Sequence, residues 1–294
     1  MSRCLLHVPP FGRCPNNSYR ILGKDPTDPV LSSILLYVLT SGLLICLALY
    51  RRQTVTFSSL KPYPIVAVLV VSNALEIPLL LYSTKYLTAG MSITIWKLNP
   101  VWVMLLVSIA YRKPISFVSL NSLIAICVGV YLILMPSAED LLRNEHFLYP
   151  LSGGIVFAVY TVFLSKLLAL NSDLASRTAG TQAYLFALSA ALIALFIPFL
   201  ESFTLQITKT ALIIIPLNAV RIAIVYALYS EALKRLSPVT VSAIVSIEVP
   251  LTIVFEWIVS GKAPQAAFFV GSLVIVMSSI VMVRENYRRL VLEA

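Results

Sequence analysis

Four ionisable side chains stand deep inside apolar stretches of the chain: Glu76, Lys97, Arg221 and Glu248. The plainest case is ITIWKLNPV, residues 93–101, where one lysine has apolar sequence on both sides. Two acids and two bases in such surroundings can bind a charged solute, pass protons, or neutralise one another as structural pairs. Asn73, Asn99 and Asn218 add uncharged hydrogen-bonding groups at similar depth, and Trp96 and Tyr226 add aromatic surface. Pro78, Pro100, Pro216 and Pro250 fall in the same stretches, where each removes a backbone donor and frees a carbonyl. Hinges and packing kinks are both open readings of these prolines.

The elements that hold these residues follow from composition. The 294 residues are 59% hydrophobic and 12% charged, against about 25% charged in a soluble domain. Mean hydropathy is +0.90. Runs of about 20 apolar residues, the length that crosses a bilayer as helix, recur along nearly the whole chain. A polytopic all-α membrane protein is expected, with lipid around it. The net charge of +9 comes from basic residues placed singly or in pairs between apolar runs, a pattern of membrane orientation and not of nucleic-acid binding. Cys4, Cys14, Cys46 and Cys127 have no paired spacing, and His7 and His146 are the whole histidine complement, so no metal or cofactor is expected. No phosphate-binding loop, nucleophile elbow or metalloprotease motif is present, which excludes transport driven by ATP hydrolysis on this chain and gives no enzyme reading.

Nine spans can be drawn, at roughly 30–50, 64–84, 90–111, 115–135, 147–169, 178–200, 208–231, 238–260 and 264–283. A shift of about 150 residues lays Pro100 on Pro250 and Pro114 on Pro264, and matches four spans of the first half to four of the second. The span at 147–169 then lacks a partner. Residues 1–29, with Pro9, Pro10, Pro15 and Arg3, Arg13 and Arg20 among them, stand where a first helix would be, as a degenerate or replaced element. The expected organisation is therefore a degenerate segment 1–29, repeats at 30–136 and 147–284, and a tail 285–294. One set of alternate loops carries twelve basic residues (among them Arg51, Arg112, Lys166, Lys234 and Arg284), and the other carries four, Lys85, Arg143, Lys209 and Lys262. That bias places the C-terminus in the cytoplasm. Five helices per half is an odd number, so the two repeats would be inverted in the membrane, as in many secondary transporters.

The stretches YALYSEALKRLSPVTVSAIVSIEVPLTIVFEWIVSGKAP and LYSTKYLTAGMSITIWKLNPVWVMLLVSIAYRKP end the two halves, and Gly129 and Gly271 mark their last helices. In these the chain resembles the EamA-type permeases of the drug/metabolite transporter superfamily. The resemblance implies a ten-helix fold of two inverted five-helix repeats and transport by alternating access. It further implies that the helices carrying Glu76 and Arg221 line a central site. Two departures stand out: Arg112 and Lys262 replace the glutamate that the family carries after each proline helix, and the first helix is degenerate.

Lys97 and Glu248 lie near-equivalent positions under the repeat shift, each shortly before a matched proline. Inverted symmetry should bring them together near the repeat axis, around a polar cavity. The alternative is a buried ion pair that fixes helix register and touches no substrate. The expected function is export of a small polar or amphipathic metabolite across the cell membrane, with Glu76 or Glu248 as the titrating group if protons drive it, or a counter-substrate exchanged. A homodimer is compatible with this reading. The rival readings are a non-transporting scaffold or subunit and a flippase for lipid-linked intermediates.

Overall fold

The computed structural model describes residues 27–53, 64–87, 89–111, 116–134, 145–199, 205–260 and 266–293. The segment expected to replace a first helix lies, but for its last three residues, outside them. Among the described residues there are twelve α-helices: α1 Pro29–Tyr50, α2 Ile65–Tyr86, α3 Ala89–Trp96, α4 Asn99–Tyr111, α5 Phe117–Leu134, α6 Leu148–Leu170, α7 Ser172–Ser176, α8 Thr178–Phe196, α9 Lys209–Arg235, α10 Pro238–Val245, α11 Glu248–Ser260 and α12 Ala266–Glu293. Among the described residues, eight spans are long and apolar enough to cross a membrane, with α3 and α4 together forming one of them. The ninth expected span, 238–260, is divided between α10 and α11, and its apolar stretch Pro238–Thr252 is shorter.

Local chemistry sets the helix ends. The Asp28 carboxylate accepts from the Val30 amide at 2.7 Å, and Pro29 supplies a pre-set first helical residue. Thr208 caps α9 through the Ala211 amide at 3.1 Å. Ser237 caps α10 through Thr240 at 3.2 Å, again with a proline in the first turn.

The two broken helices are the feature that positions the site. At each break the backbone tightens to i→i−3 bonds: Leu98 to Ile95 at 3.1 Å and Val101 to Leu98 at 3.0 Å in the first, Ile247 to Ile244 and Val249 to Ser246, both at 3.1 Å, in the second. The prolines explain why. Pro100 is the second residue of α4 and Pro250 the third of α11. Each is tolerated in a first turn but offers no amide to the carbonyl four residues earlier, Trp96 or Ser246. These two prolines thus begin half-helices, whereas Pro78 and Pro216 lie inside the continuous helices α2 and α9.

Helix starts repeat at 149 residues, from Ala89 to Pro238, Asn99 to Glu248 and Phe117 to Ala266. Packing repeats too. Helix α1 packs on α9 and its equivalent α8 on α2; α3 packs on α11 and α10 on α4; α1 meets α8 and α5 meets α12. This exchange of partners is what a pseudo-two-fold relation between the halves produces. Helix α6 is covered by α2, α3 and α4, and no described helix stands as its counterpart.

Glycines set the closest approaches. A Cβ on Gly129 would lie 2.8 Å from the Gly271 carbonyl oxygen, so α5 and α12 cross backbone to backbone. A Cβ on Gly154 would lie 2.7 Å from the Trp96 carbonyl oxygen, the group that Pro100 leaves without its helical donor. Glycine in α6 is what lets it pack tightly against the first break.

Candidate functional site

A cavity of about 70 Å³ lies between the halves where the two breaks meet. That is space for several waters or a small polar group. Helix α2 contributes Glu76, Ile77 and Leu80; the first break contributes Ile93, Trp96 and Lys97; α6 contributes Phe157. The other wall comes from Arg221, Val225, Tyr226 and Tyr229 on α9, and from Val245 and Glu248 at the second break.

Lys97 follows the last residue of α3 and Glu248 is the first residue of α11. A cation after a helix C-terminus and an anion at a helix N-terminus both sit favourably in the field of the aligned peptide dipoles. Lys97 Nζ lies 2.7 Å from Glu248 Oε2 and 4.3 Å from the centre of the Trp96 ring, so the ammonium has a carboxylate and an aromatic face within reach. The pair is uneven: the Lys97 side chain is 1% exposed and that of Glu248 40%. Arg221 Nη1 stands 3.8 Å from the other carboxylate oxygen of Glu248, and its side chain is 42% exposed. One carboxylate therefore faces two cations.

Glu76 is buried on the opposite wall, and the Tyr226 hydroxyl donates to its Oε2 at 2.7 Å. Tyr226 is fixed by its neighbours, with Phe186 edge-on at 4.9 Å and Tyr160 edge-on at 5.8 Å between ring centres. Behind it runs a polar chain. Tyr160 donates to Gln182 Oε1 at 2.6 Å, Gln182 Nε2 donates to Ser230 Oγ at 2.7 Å, and Ser230 donates to the Tyr226 carbonyl at 2.8 Å. The Thr161 and Tyr229 hydroxyls share a hydrogen bond at 2.6 Å. This network locks α6, α8 and α9 together beneath the cavity.

Of the residues singled out in the sequence, the structure brings Glu76, Trp96, Lys97, Arg221, Tyr226 and Glu248 to the cavity. Asn73, Asn99 and Asn218 do not line it. The Asn73 side-chain amide donates to Ser189 Oγ at 3.0 Å, and the backbone carbonyl of the same residue accepts from the Tyr37 hydroxyl, so this point of α2 is tied to α1 and α8. Asn218 is buried one turn before Arg221 on α9. Asn99 opens α4 just past the first break; its side-chain amide is buried without a hydrogen-bond partner among the described residues, and the same holds for the Trp96 indole nitrogen. Buried polar atoms left so are costly and mark places where water or a solute would complete the bonding. Sequence reasoning missed Phe157 and the Tyr160–Gln182–Ser230 chain. Phe157, Tyr160, Thr161 and Leu164 recur at helical spacing along one face of α6, which was the available signal.

Comparison with known proteins follows the same lines. Among curated proteins none matches the sequence. A solved crystal structure is similar over 92% of this chain and 94% of its own length, with a TM-score of 0.68 at 15% sequence identity, a likeness of fold alone. The profile of the EamA-like transporter family matches residues 23–135 and again residues 147–284. With both repeats matched, and with membrane-spanning helices along the chain, the protein belongs to the EamA-like transporter family, within the drug/metabolite transporter superfamily.

Proposed function

We propose that the protein is a secondary exporter that moves a small polar or amphipathic metabolite across the cell membrane by alternating access, with its C-terminus in the cytoplasm. The observation that carries this reading is the meeting of two helix breaks, one from each repeat, at the Lys97–Glu248 pair inside a mid-span cavity. Discontinuous helices joined by broken backbone are where carriers of this kind hold solutes. The substrate class is an amino acid, an organic anion or a related drug-like compound. Its carboxylate would compete with Glu248 for Lys97 and Arg221, and an ammonium group would compete for Glu248. Exchanging the internal ion pair for a solute loosens the contact between the breaks and lets the repeats rock. Glu76, held by Tyr226, is the carboxylate placed to couple this to a proton; exchange for a counter-substrate is the other source of drive. Asn73, Asn99 and Asn218 act as supports around the site, and Pro78 and Pro216 as hinges in the continuous helices. The repeats are taken as 30–136 and 147–284, and a homodimer would leave the site within each protomer.

The test is counterflow in proteoliposomes preloaded with unlabelled amino acids or organic anions. Wild type should accumulate the matching labelled solute, and Lys97→Ala should lower the initial rate at least tenfold. Equal flux through both proteins would remove Lys97 from the site. A second reading, a non-transporting scaffold, draws on Arg112 and Lys262 standing where the family carries glutamate. It predicts no counterflow of any solute by folded wild type.

A further inference from the structure

We propose that the crossing of the two breaks holds a second polar site, uncharged and hydrated, in which Asn99, Ser246 and Ser279 bind ordered water. It is the counterpart, under the repeat relation, of the Lys97–Glu248 pair, and it stands independently of the solute site proposed above.

The repeat relation gives its place. A shift of 149 residues, the spacing of the helix starts, carries Lys97 onto Ser246 and Asn99 onto Glu248. The Lys97–Glu248 contact therefore has its counterpart positions at Ser246 and Asn99, across α10 and α4. Those two helices pack on each other as α3 and α11 do. Where one crossing carries opposite charges, the other carries a hydroxyl and a carboxamide. Asn99 and Ser246 are fully buried, as is Ser279 on α12, which packs on α10.

The three residues share one level of the bundle. Leu98, Val249 and Ile275 meet in an apolar cluster with Val130 and Ile133. Val103, Ala243 and Met282 meet in another, with Ile126. Asn99 falls between Leu98 and Val103, Ser246 between Ala243 and Val249, and Ser279 between Ile275 and Met282. Each polar residue is thus within about a turn of both clusters. Together they make a polar layer between two apolar ones.

Hydrogen bonding in this layer is incomplete. The Asn99 carboxamide can donate two bonds and accept two, yet among the described residues neither its nitrogen nor its oxygen has a partner, and the Ser279 hydroxyl has none either. Ser246 donates to the Ser242 carbonyl at 3.2 Å, which leaves its lone pairs able to accept. A carboxamide buried unbonded is costly, and a water with two to four polar partners removes that cost. Water also fits better than a cation. Hard cations are held by oxygens, so one here would leave the Asn99 N–H groups bare, with no carboxylate among the three residues to balance its charge. A crossing bridged by water can part and close without stripping the carboxamide, which suits half-helices that move.

The test is a crystal structure of the full chain, grown from lipid at a resolution that shows ordered water, with thermal unfolding of variants in detergent beside it. Density should lie within hydrogen-bond distance of the Asn99 amide and Ser279 Oγ. Asn99→Leu and Ser279→Ala should each lower the melting temperature. The double variant should lose clearly less than the sum of the two, because both changes release the same water. No density at Asn99, with Asn99→Leu raising the melting temperature, is a dry unbonded amide and overturns the proposal. Should Asn99→Leu not fold, the milder Ser279→Ala decides: density displaced in it supports the site, and density unmoved overturns the part given to Ser279. Wild type stabilised by sodium chloride and not by choline chloride, with the response lost in Ser279→Ala, would assign the layer to a cation and overturn the water reading.

Discussion

At the level of single residues, the Lys97–Glu248 pair should not respond equally when cut from its two ends. Glu248→Gln removes the paired carboxylate from an ammonium that is 1% exposed, leaving it the Trp96 face at 4.3 Å and Glu76 in the same cavity. Breaking a buried pair in that way costs about 3–5 kcal/mol. Lys97→Met leaves a carboxylate that is 40% exposed and still has Arg221 beside it, so the loss should be less than half as large. Thermal unfolding in detergent checks the order; a larger loss for Lys97→Met would contradict the geometry. The double change Lys97→Met with Glu248→Leu should recover much of the stability and none of the transport, which separates a structural pair from a working one. Tyr226→Phe removes one hydrogen bond to a buried carboxylate, at a cost of about 1.5–3 kcal/mol, read in the same unfolding assay. These charges could be located from sequence because a charge inside an apolar run has few places to go. The asparagines could not. An uncharged amide is equally at home in a cavity or between helices, and the Asn73 side chain is drawn away by Ser189.

At the level of elements, glycines with the same helical context should differ in sign. Gly42 on α1 has nothing within 4 Å of a built Cβ, so Gly42→Ala should stabilise by up to about 1 kcal/mol through helix propensity. Gly154→Ala drives a methyl into the Trp96 carbonyl at 2.7 Å and should destabilise instead, pushing α6 off the first break. Melting temperatures of the two variants moving in the same direction would contradict this packing. The eight spans found among the described residues were legible as apolar runs, while the expected ninth, 238–260, is divided into two helices with a shorter apolar stretch, because hydropathy counts residues and not hydrogen bonds. The breaks themselves were half legible. Pro100 and Pro250 repeat at 150 residues while the helices repeat at 149, so Asn99, not Lys97, is the helical equivalent of Glu248. The one-residue difference is absorbed where i→i−3 bonds replace i→i−4 bonds, a change that no residue pattern records.

At the level of the whole molecule, the excess of basic residues in alternate loops sets a topology. Residues 284–289 hold three arginines, and a reporter fused after Ala294 should be active only in its cytoplasmic form. A reporter active outside would contradict the proposed cytoplasmic C-terminus. The two-fold relation between the halves was legible from span spacing and two prolines, because each repeat must bury its apolar faces against the other. The central claim is that the meeting point of the two breaks is a solute site. Its most direct test is ligand-dependent thermal stability of the purified protein in detergent, screened with amino acids, organic anions and cationic drugs on wild type and Lys97→Ala. The account predicts a ligand that raises the melting temperature of wild type alone; a ligand that stabilises both proteins equally would contradict it.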